Sequence, residues 1–84
     1  MEFDWDTGNL YKLMVINAYR GIGKEEIESV FDDPGRTESK NKYPKEERFE
    51  TIGLSNQNRI ILVIFTKRNG KIRYITAWQQ SSPY

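Results

Sequence analysis

Apolar residues at helical spacing mark the first third of the chain. The mainly apolar positions are Leu10, Leu13, Met14 and Asn17, at i, i+3, i+4 and i+7. This spacing predicts a helix whose apolar stripe faces a core. Asp6 or Thr7 is placed to cap its first turn, and Gly21 is placed to end it in the left-handed conformation.

A second, shorter helix is predicted from Lys24 up to Pro34, which cannot continue a helix. Its apolar positions are Ile27, Val30 and Phe31, at i, i+3 and i+4. This spacing gives the helix one apolar face. Ahead of both helices, residues 3–5 alternate apolar and acidic side chains, which is compatible with a short edge strand.

Strand patterns dominate the rest of the chain. Residues 35–47 are polar and lack a clear period, which predicts a loop with room for a short edge strand. Residues 48–54 have strand chemistry, and residues 55–58 supply turn formers. The run 60–65 is continuously apolar. It is predicted to be a central strand covered on both faces.

Asn69 and Gly70 predict a hairpin, because both accept the positive φ angles of a type I′ turn. The predicted pairs are Arg68 with Lys71, Thr66 with Arg73, Phe65 with Tyr74, Ile64 with Ile75 and Ile61 with Trp78. This register puts Tyr74 and Trp78 on the face of Phe65, although the pattern does not decide which face the helices cover. We expect both side chains in the core; if they are exposed, they could stack on RNA bases. The predicted fold class is α+β: two N-terminal helices packed on a small antiparallel sheet.

Composition narrows the possible functions. The 84 residues include no cysteine and no histidine, so disulfides and His/Cys zinc sites are excluded. No spaced carboxylate motif suggests another metal, and no cofactor is expected. The chain lacks an apolar run of the roughly 18 residues that a membrane span needs. We expect one domain, residues 1–84, in the cytoplasm.

Charge is unevenly distributed along the sequence. Residues 1–33 hold eight acids and three bases, whereas residues 34–84 hold ten bases and four acids. This division suggests a surface for a nucleic acid or an acidic partner. A solvated charged face explains any single cluster equally well.

Six short segments follow one another across nearly the whole chain. They are FDWD at 3–6, NAYRGI at 17–22, EEIESVFDDP at 25–34, EERFETIG at 46–53, FTKR at 65–68 and IRYITA at 72–77. In their order and spacing, these segments together resemble the BrnT-type toxins of bacterial type II toxin-antitoxin pairs.

The resemblance implies a small ribonuclease with a RelE-like α+β shape, and the composition above implies that it works without a metal. It further implies cleavage of messenger RNA, growth arrest and neutralisation by a cognate antitoxin, usually a ribbon-helix-helix DNA-binding protein encoded beside the toxin. The toxin-antitoxin complex of such a pair commonly binds its own operator DNA.

Three departures from the family pattern support an alternative, a catalytically weak or inactive homologue that binds an antitoxin or RNA. The histidine that the family has before the glycine is absent, since Arg20 is followed directly by Gly21. Trp78 stands where the family has its second arginine. The sequence ends at Tyr84, so we expect the domain to lack the charged C-terminal helix of the family.

A ribonuclease without metal or histidine can use the neighbouring 2′-hydroxyl as nucleophile while cations stabilise the phosphorane. The predicted catalytic residues are Arg48 and Arg73 as cations and Glu47 as base, with Glu50 as the other base candidate. The predicted RNA-binding residues are Arg68, Lys71, Lys67 and Lys45.

Each of these candidates also has a structural interpretation. Arg48 lies among acids and can form a surface ion pair, typically worth about 0 to 1 kcal/mol. Arg68 is at a hairpin tip, where charge is ordinary. Arg73, inside a strand, can extend past the edge of the core to water. A third class of function, a protein-interaction domain, would use the apolar sheet and acidic helices and leave the bases without a role.

Overall fold

Two helices precede a four-stranded antiparallel sheet in the computed structural model, which describes residues 1–42 and 47–80. The elements are α1 (Thr7–Arg20), α2 (Lys24–Val30), β1 (Thr37–Lys42), β2 (Glu47–Leu54), β3 (Ile60–Arg68) and β4 (Lys71–Gln79). The strands lie side by side in chain order. This arrangement confirms the predicted α+β class, while the likeness to RelE stays a prediction. Within the described residues, neither helix is both long and apolar enough to cross a membrane.

The ends of α1 follow the predicted caps. Asp6 Oδ1 accepts a hydrogen bond from the backbone N–H of Asn9 at 2.9 Å, and Asn9 Oδ1 accepts one from the N–H of Asp6 at 2.7 Å. This reciprocal capping satisfies two backbone donors that a helix start leaves unpaired. At the other end, Gly21 adopts a φ of 67° and donates its N–H to the carbonyl of Asn17.

The predicted apolar stripe of α1 is largely wrong. Leu13 is buried, but Leu10 and Met14 are 40% and 62% exposed, and Asn17 is exposed too. Asn9 is buried instead, because its Nδ2 donates to the carbonyl of Asp4 at 2.8 Å. This bond ties α1 to the N-terminal segment and satisfies the buried amide, and the Asn9–Leu13 edge of the helix faces the sheet.

The core lies between the helices and one face of the sheet. It contains Leu13, Ile22, Ile27, Val30 and Phe31 from the helical part, and Ile61, Val63, Phe65, Ile72, Tyr74 and Ala77 from β3 and β4. Phe31 packs edge-on against Phe65, with ring centroids 5.1 Å apart. As predicted for a central strand, residues 61–65 are all buried, whereas Ile60, the first residue of the predicted run, is 44% exposed. The polar segment predicted as a loop contains β1, an edge strand that pairs with β2.

A β-bulge divides the β3–β4 hairpin into two parts. The turn at Asn69 and Gly70 has φ angles of 54° and 75°, as predicted. The predicted register holds from the turn to the pair Phe65–Tyr74, but beyond it Ile64 pairs with Thr76 rather than with Ile75. Because β4 contains one extra residue at this point, each later side chain of β4 lies on the face opposite to the one predicted.

The bulge overturns one predicted core residue. Tyr74 is 4% exposed and lies in the core as predicted, whereas Trp78 is 37% exposed. Trp78 pairs with Leu62, and this pair faces away from the helices. The prediction for Trp78 was wrong because an unbroken register was assumed.

A buried ion pair joins α2 to the start of β3. The carboxylate of Glu26, 5% exposed, accepts hydrogen bonds from Arg59 Nε at 2.9 Å and from Ser55 Oγ at 2.6 Å. Burial alone would raise the pKa of Glu26, but the hydrogen bonds from Arg59 and Ser55 outweigh it and hold the pKa below the ordinary value of 4.5. Arg59 also donates to the carbonyl of Gly21 at 2.8 Å.

We predict that Arg59→Ala lowers the free energy of unfolding by about 3 kcal/mol at pH 7, because it leaves the Glu26 carboxylate buried without its cation. In the wild type, the stability that Glu26 contributes is present above pH 4.5 and is lost as pH falls through its lowered folded pKa. In the variant, burial dominates and raises that pKa, so acidification relieves the penalty. Urea unfolding should therefore show a smaller difference between the two proteins at pH 4 than at pH 7.

The control for this experiment is Lys40→Ala, which removes the cation of an exposed pair with Glu47. It should change the free energy of unfolding by less than about 1 kcal/mol. A difference between wild type and Arg59→Ala that stays constant with pH would contradict the assigned role of Glu26.

Candidate functional site

Three of the arginines predicted from the sequence line one open groove. Arg48 comes from β2, Arg68 from β3 and Arg73 from β4, and Lys12 of α1 joins them. The groove has a volume of about 500 Å³ and also includes Asp6 and Thr66. We call it the cationic groove.

Strand pairing explains why these side chains lie together. Thr66 pairs with Arg73 across β3 and β4, and Phe49 pairs with Phe65 across β2 and β3. Arg48 precedes Phe49 and so lies beside Thr66. Because successive side chains alternate between the faces of a sheet, this row faces away from the core side of Phe49 and Phe65. The first turns of α1 border the groove at the β4 end.

Arg73 is held at this site by two carboxylates of the N-terminal segment. Its Nη1 lies 3.1 Å from Asp4 Oδ2 and 2.7 Å from Asp6 Oδ2. The N-terminal segment reaches this position by extending along β4, where the N–H of Asp4 donates to the carbonyl of Ile72 at 2.8 Å. Both contacts use one nitrogen of a guanidinium that carries five N–H donors.

Hydrogen bonds and charge keep Asp6 and Arg73 ionised. The backbone hydrogen bond from Asn9, followed by the hydrogen bond from Arg73, lowers the pKa of Asp6. The hydrogen bonds from Asp6 and Asp4 raise the pKa of Arg73 in turn. Asp6 is consequently a weak proton acceptor near neutral pH.

Two predicted residues lie on the other face of the sheet. Glu47 was expected to act with Arg48, but neighbours in a strand point in opposite directions. Glu47 instead pairs with Lys40. Lys67 Nζ lies 2.9 Å from Glu38 Oε2 and 4.5 Å from the ring centroid of Phe49. The structure therefore does not bring Glu47 or Lys67 into the cationic groove.

The remaining candidates lie outside the groove lining or outside the described chain. Lys71 Nζ is 3.8 Å from Glu2 Oε2, at the start of β4. Glu50, the other base candidate, accepts a hydrogen bond from Ser39 Oγ at 3.2 Å. Lys45 lies outside the residues that the structure describes.

The acidic residues of 1–33 and the basic residues of 34–84 are not separated from each other in the fold. Cations of the later half pair with acids of the earlier half, as Arg73 does with Asp4 and Asp6, and Arg59 with Glu26. The local excess of positive charge lies in the cationic groove instead. There Lys12, Arg48, Arg68 and Arg73 line a space with Asp6 as the acidic lining residue among those described.

Sequence reasoning missed Lys12 and the pairing of Asp4 and Asp6 with Arg73. A signal for the two acids was present, since Asp4 and Asp6 alternate with Phe3 and Trp5. This alternation puts both carboxylates on one face of an extended segment, where a cation is needed. Lys12 gave no such signal, because its place depends on the orientation of α1.

The groove has the chemistry of an anion site. Guanidinium groups bind phosphate oxygens through paired, charge-assisted hydrogen bonds, and here three of them come from neighbouring strands. Within residues 1–42 and 47–80, no three His, Cys, Asp or Glu side chains gather as metal ligands would. The arrangement can hold a phosphodiester and stabilise additional negative charge on it.

Comparison with known proteins agrees with the resemblance seen in the sequence. No curated protein matches the chain closely enough to count as a relative. Residues 5–82, however, match the family described as the ribonuclease toxin BrnT of type II toxin-antitoxin systems. This range includes every groove residue named above. The chain thus belongs to the BrnT family of ribonuclease toxins.

Proposed function

We propose that this protein is a toxin that cleaves RNA and holds the scissile phosphodiester in the cationic groove. The observation that carries the proposal is the convergence of Arg48, Arg68 and Arg73 from three strands, with Lys12 beside them. Converging guanidinium groups bind ligands that present several phosphate oxygens. A single-stranded RNA supplies a phosphate at each nucleotide, so it meets this requirement.

In the proposed reaction, the 2′-hydroxyl oxygen attacks the adjacent phosphorus and the bond from phosphorus to the 5′ oxygen breaks. The products are a 2′,3′-cyclic phosphate and a 5′-hydroxyl, and the proton lost by the 2′ oxygen is balanced by the one that the 5′ oxygen gains. Negative charge increases on the phosphorane in the transition state. Preorganised donors aimed at such charge typically contribute about 10²- to 10³-fold each.

Arg73 is the best-positioned of these donors. Asp4 and Asp6 fix its Nη1, and the side chain is 22% exposed. Holding a cation in advance avoids the entropic cost of ordering it when RNA binds. Arg48 and Arg68, on the adjacent strands, contact the non-bridging phosphate oxygens from the other side in this scheme.

Among the residues described, the cationic groove offers only a weak general base for the proton transfer. A well-tuned general base contributes about 10²- to 10⁴-fold, and it needs a pKa near the working pH. Asp6 borders the groove, but its pKa is lowered. We therefore propose that charge and position supply most of the rate, which makes the enzyme slow.

A second candidate function is a homologue that has lost catalysis and keeps antitoxin or RNA binding. The absence of the family's second arginine favours it. Trp78 stands at that position on the face away from the helices, and the Cζ of Arg20 lies 5.9 Å from its ring centroid. Arg20 does not line the cationic groove, and so does not replace the missing charge there.

Membership of the family implies an antitoxin partner. We propose that this antitoxin is a ribbon-helix-helix protein, that the complex binds operator DNA and that the toxin acts in the cytoplasm. These proposals rest on the family resemblance. Expression together with the neighbouring gene, followed by purification and a DNA-binding assay, tests the first two.

We predict that Arg68→Ala lowers the rate of RNA cleavage about 100-fold, the typical effect of removing one transition-state donor. Lys67→Ala is the matched control. It removes the same charge from the neighbouring position of β3, but its side chain pairs with Glu38 on the opposite face. It should retain nearly the wild-type rate.

Cleavage of a labelled single-stranded RNA, with binding followed at several salt concentrations, measures both effects. Arg68→Ala should also reduce the dependence of log affinity on log salt by about 0.7, the value for one lost phosphate contact. Equal losses in the two variants would show that overall charge, and not this groove, governs RNA binding. Intact RNA at high wild-type concentration would favour the inactive homologue.

We predict that Asp6→Asn tightens RNA binding about fivefold, because removing one charge about 4 Å from a phosphate is worth about 1 kcal/mol in water. Asparagine caps a helix as well as aspartate does, so α1 should stay intact. The control is Asp32→Asn, an equal change of net charge at an exposed position beyond α2. Weaker binding by Asp6→Asn would contradict this prediction.

The same variant tests the proposed lack of a strong base. If charge and position supply the rate, Asp6→Asn should keep cleaving RNA at a comparable maximal rate, because Asp4 still pairs with Arg73 Nη1 and holds it in the groove. Loss of cleavage together with tighter binding would identify Asp6 as the proton acceptor. Thermal unfolding of both variants checks that neither result reflects a damaged fold.

A further inference from the structure

The solvent side of α1 is apolar. Tyr11, Met14 and Tyr19 are 63%, 62% and 84% exposed, and Leu10 and Val15 are 40% and 38% exposed. Positions 11, 14, 15 and 19 have the spacing i, i+3, i+4 and i+8, so they form one stripe. Exposed apolar side chains grouped on one side of a helix are a feature of interaction surfaces.

A groove runs between this stripe and β4. It has a volume of about 290 Å³, and its lining includes Tyr11, Val15, Ile16 and Ile75. The bulge helps to form it, because Ile75 is the residue of β4 that falls between the pairs of Tyr74 and Thr76. Bulges commonly redirect a side chain in this way. We call this space the α1–β4 groove.

The α1–β4 groove continues into the cationic groove. Lys12 and Ile75 line both spaces. An occupant that follows α1 therefore meets apolar side chains first, and then the cluster that contains Arg48 and Arg73. An amphipathic helix with apolar anchors and acidic residues at one end matches this sequence of surfaces.

We propose that the antitoxin places such an amphipathic, acid-flanked helix in the α1–β4 groove, and that its acidic end covers the cationic groove and excludes RNA. The docking half rests on the family's antitoxin partner, and the exclusion half rests on the proposed RNA cleavage. A second copy of this chain fits less well. A two-fold contact centred on Tyr11 and Val15 would bring two cationic grooves close together.

The test compares Val15→Glu with Leu54→Glu. Both replace an exposed aliphatic residue by the same acid, at 38% and 46% exposure, but Leu54 lies at the end of β2. The probe is the purified product of the neighbouring gene, titrated against each variant by calorimetry. Tyr11→Ala, a milder change in the same groove, is the second test variant in case Val15→Glu does not fold.

We expect Val15→Glu to weaken antitoxin binding on the order of 100-fold, as expected when a central apolar anchor is lost. Leu54→Glu should change it less than threefold. The variant Val15→Glu should cleave RNA at the wild-type rate and should resist inhibition by the antitoxin. In the wild type, antitoxin and a labelled RNA should compete for binding.

Three results would overturn the inference. Wild-type affinity in both Val15→Glu and Tyr11→Ala would exclude docking in this groove. Simultaneous binding of RNA and antitoxin would exclude the blocking role. Self-association that is lost in Val15→Glu, with antitoxin binding unchanged, would assign the face to a second copy. If wild-type protein leaves RNA intact, the proposed cleavage fails, whereas the affinity ratio still decides the docking site.

Discussion

The extra residue in β4 determines what each side of the sheet can do. Near the turn, β4 directs Arg73 away from the core and Tyr74 into it, and the bulge between the pairs of Phe65 and Ile64 then changes the alternation. Ala77 is thereby buried and Trp78 is exposed. A continuous register would place Trp78 in a core already occupied by large side chains. The bulge thus allows one strand to supply a core, a cation for the groove and Ile75 for the surface beside α1.

Stability and the candidate site depend on the same few residues at the N-terminus. Asp6 caps α1 and also contacts Arg73, and Asn9 bonds to both Asp6 and the carbonyl of Asp4. The segment that carries these acids is hydrogen-bonded to Ile72 of β4. Because one carboxylate serves both the helix and the guanidinium, its replacement by a residue that cannot cap changes fold and site together. Replacement of Asp6 by an uncharged capping residue removes its charge beside Arg73 and keeps the cap of α1, so it separates the two roles.

Much of the fold followed from local patterns, since caps, turn residues and apolar runs act over a few positions. The hairpin at Asn69 and Gly70 is the clearest case, because its φ angles are a property of those two residues. The facing of Trp78 and of Leu10 did not follow. The facing of Trp78 depends on a bulge that the local sequence does not predict. The facing of Leu10 depends on the orientation of α1, in which Asn9 donates a hydrogen bond to the carbonyl of Asp4. Both are tertiary effects that override local preference.

The candidate site was predictable to the extent that it is built from strand positions. Arg48 and Arg73 lie in one row with Thr66, as cations on neighbouring strands can. Glu47 does not line that groove, since adjacent residues of a strand point to opposite faces and Glu47 pairs with Lys40 instead. The predicted base was chosen for its place in the sequence, next to Arg48, although the alternation of a strand argued against it.

Because the two grooves are adjacent but differently lined, the proposed inhibition and the proposed catalysis can be altered separately. Tyr11 and Val15 line the α1–β4 groove and not the cationic groove. Substitution of either residue can therefore alter the fit of a partner while the cations stay in place. Lys12 lines both, so in the proposed scheme an acidic group of the partner and an RNA phosphate would compete for it. A partner held by apolar contacts would then need few acidic residues to exclude RNA, because it would already lie beside the cationic groove. Burial of its apolar anchors would supply affinity that salt does not screen, unlike the proposed binding of RNA.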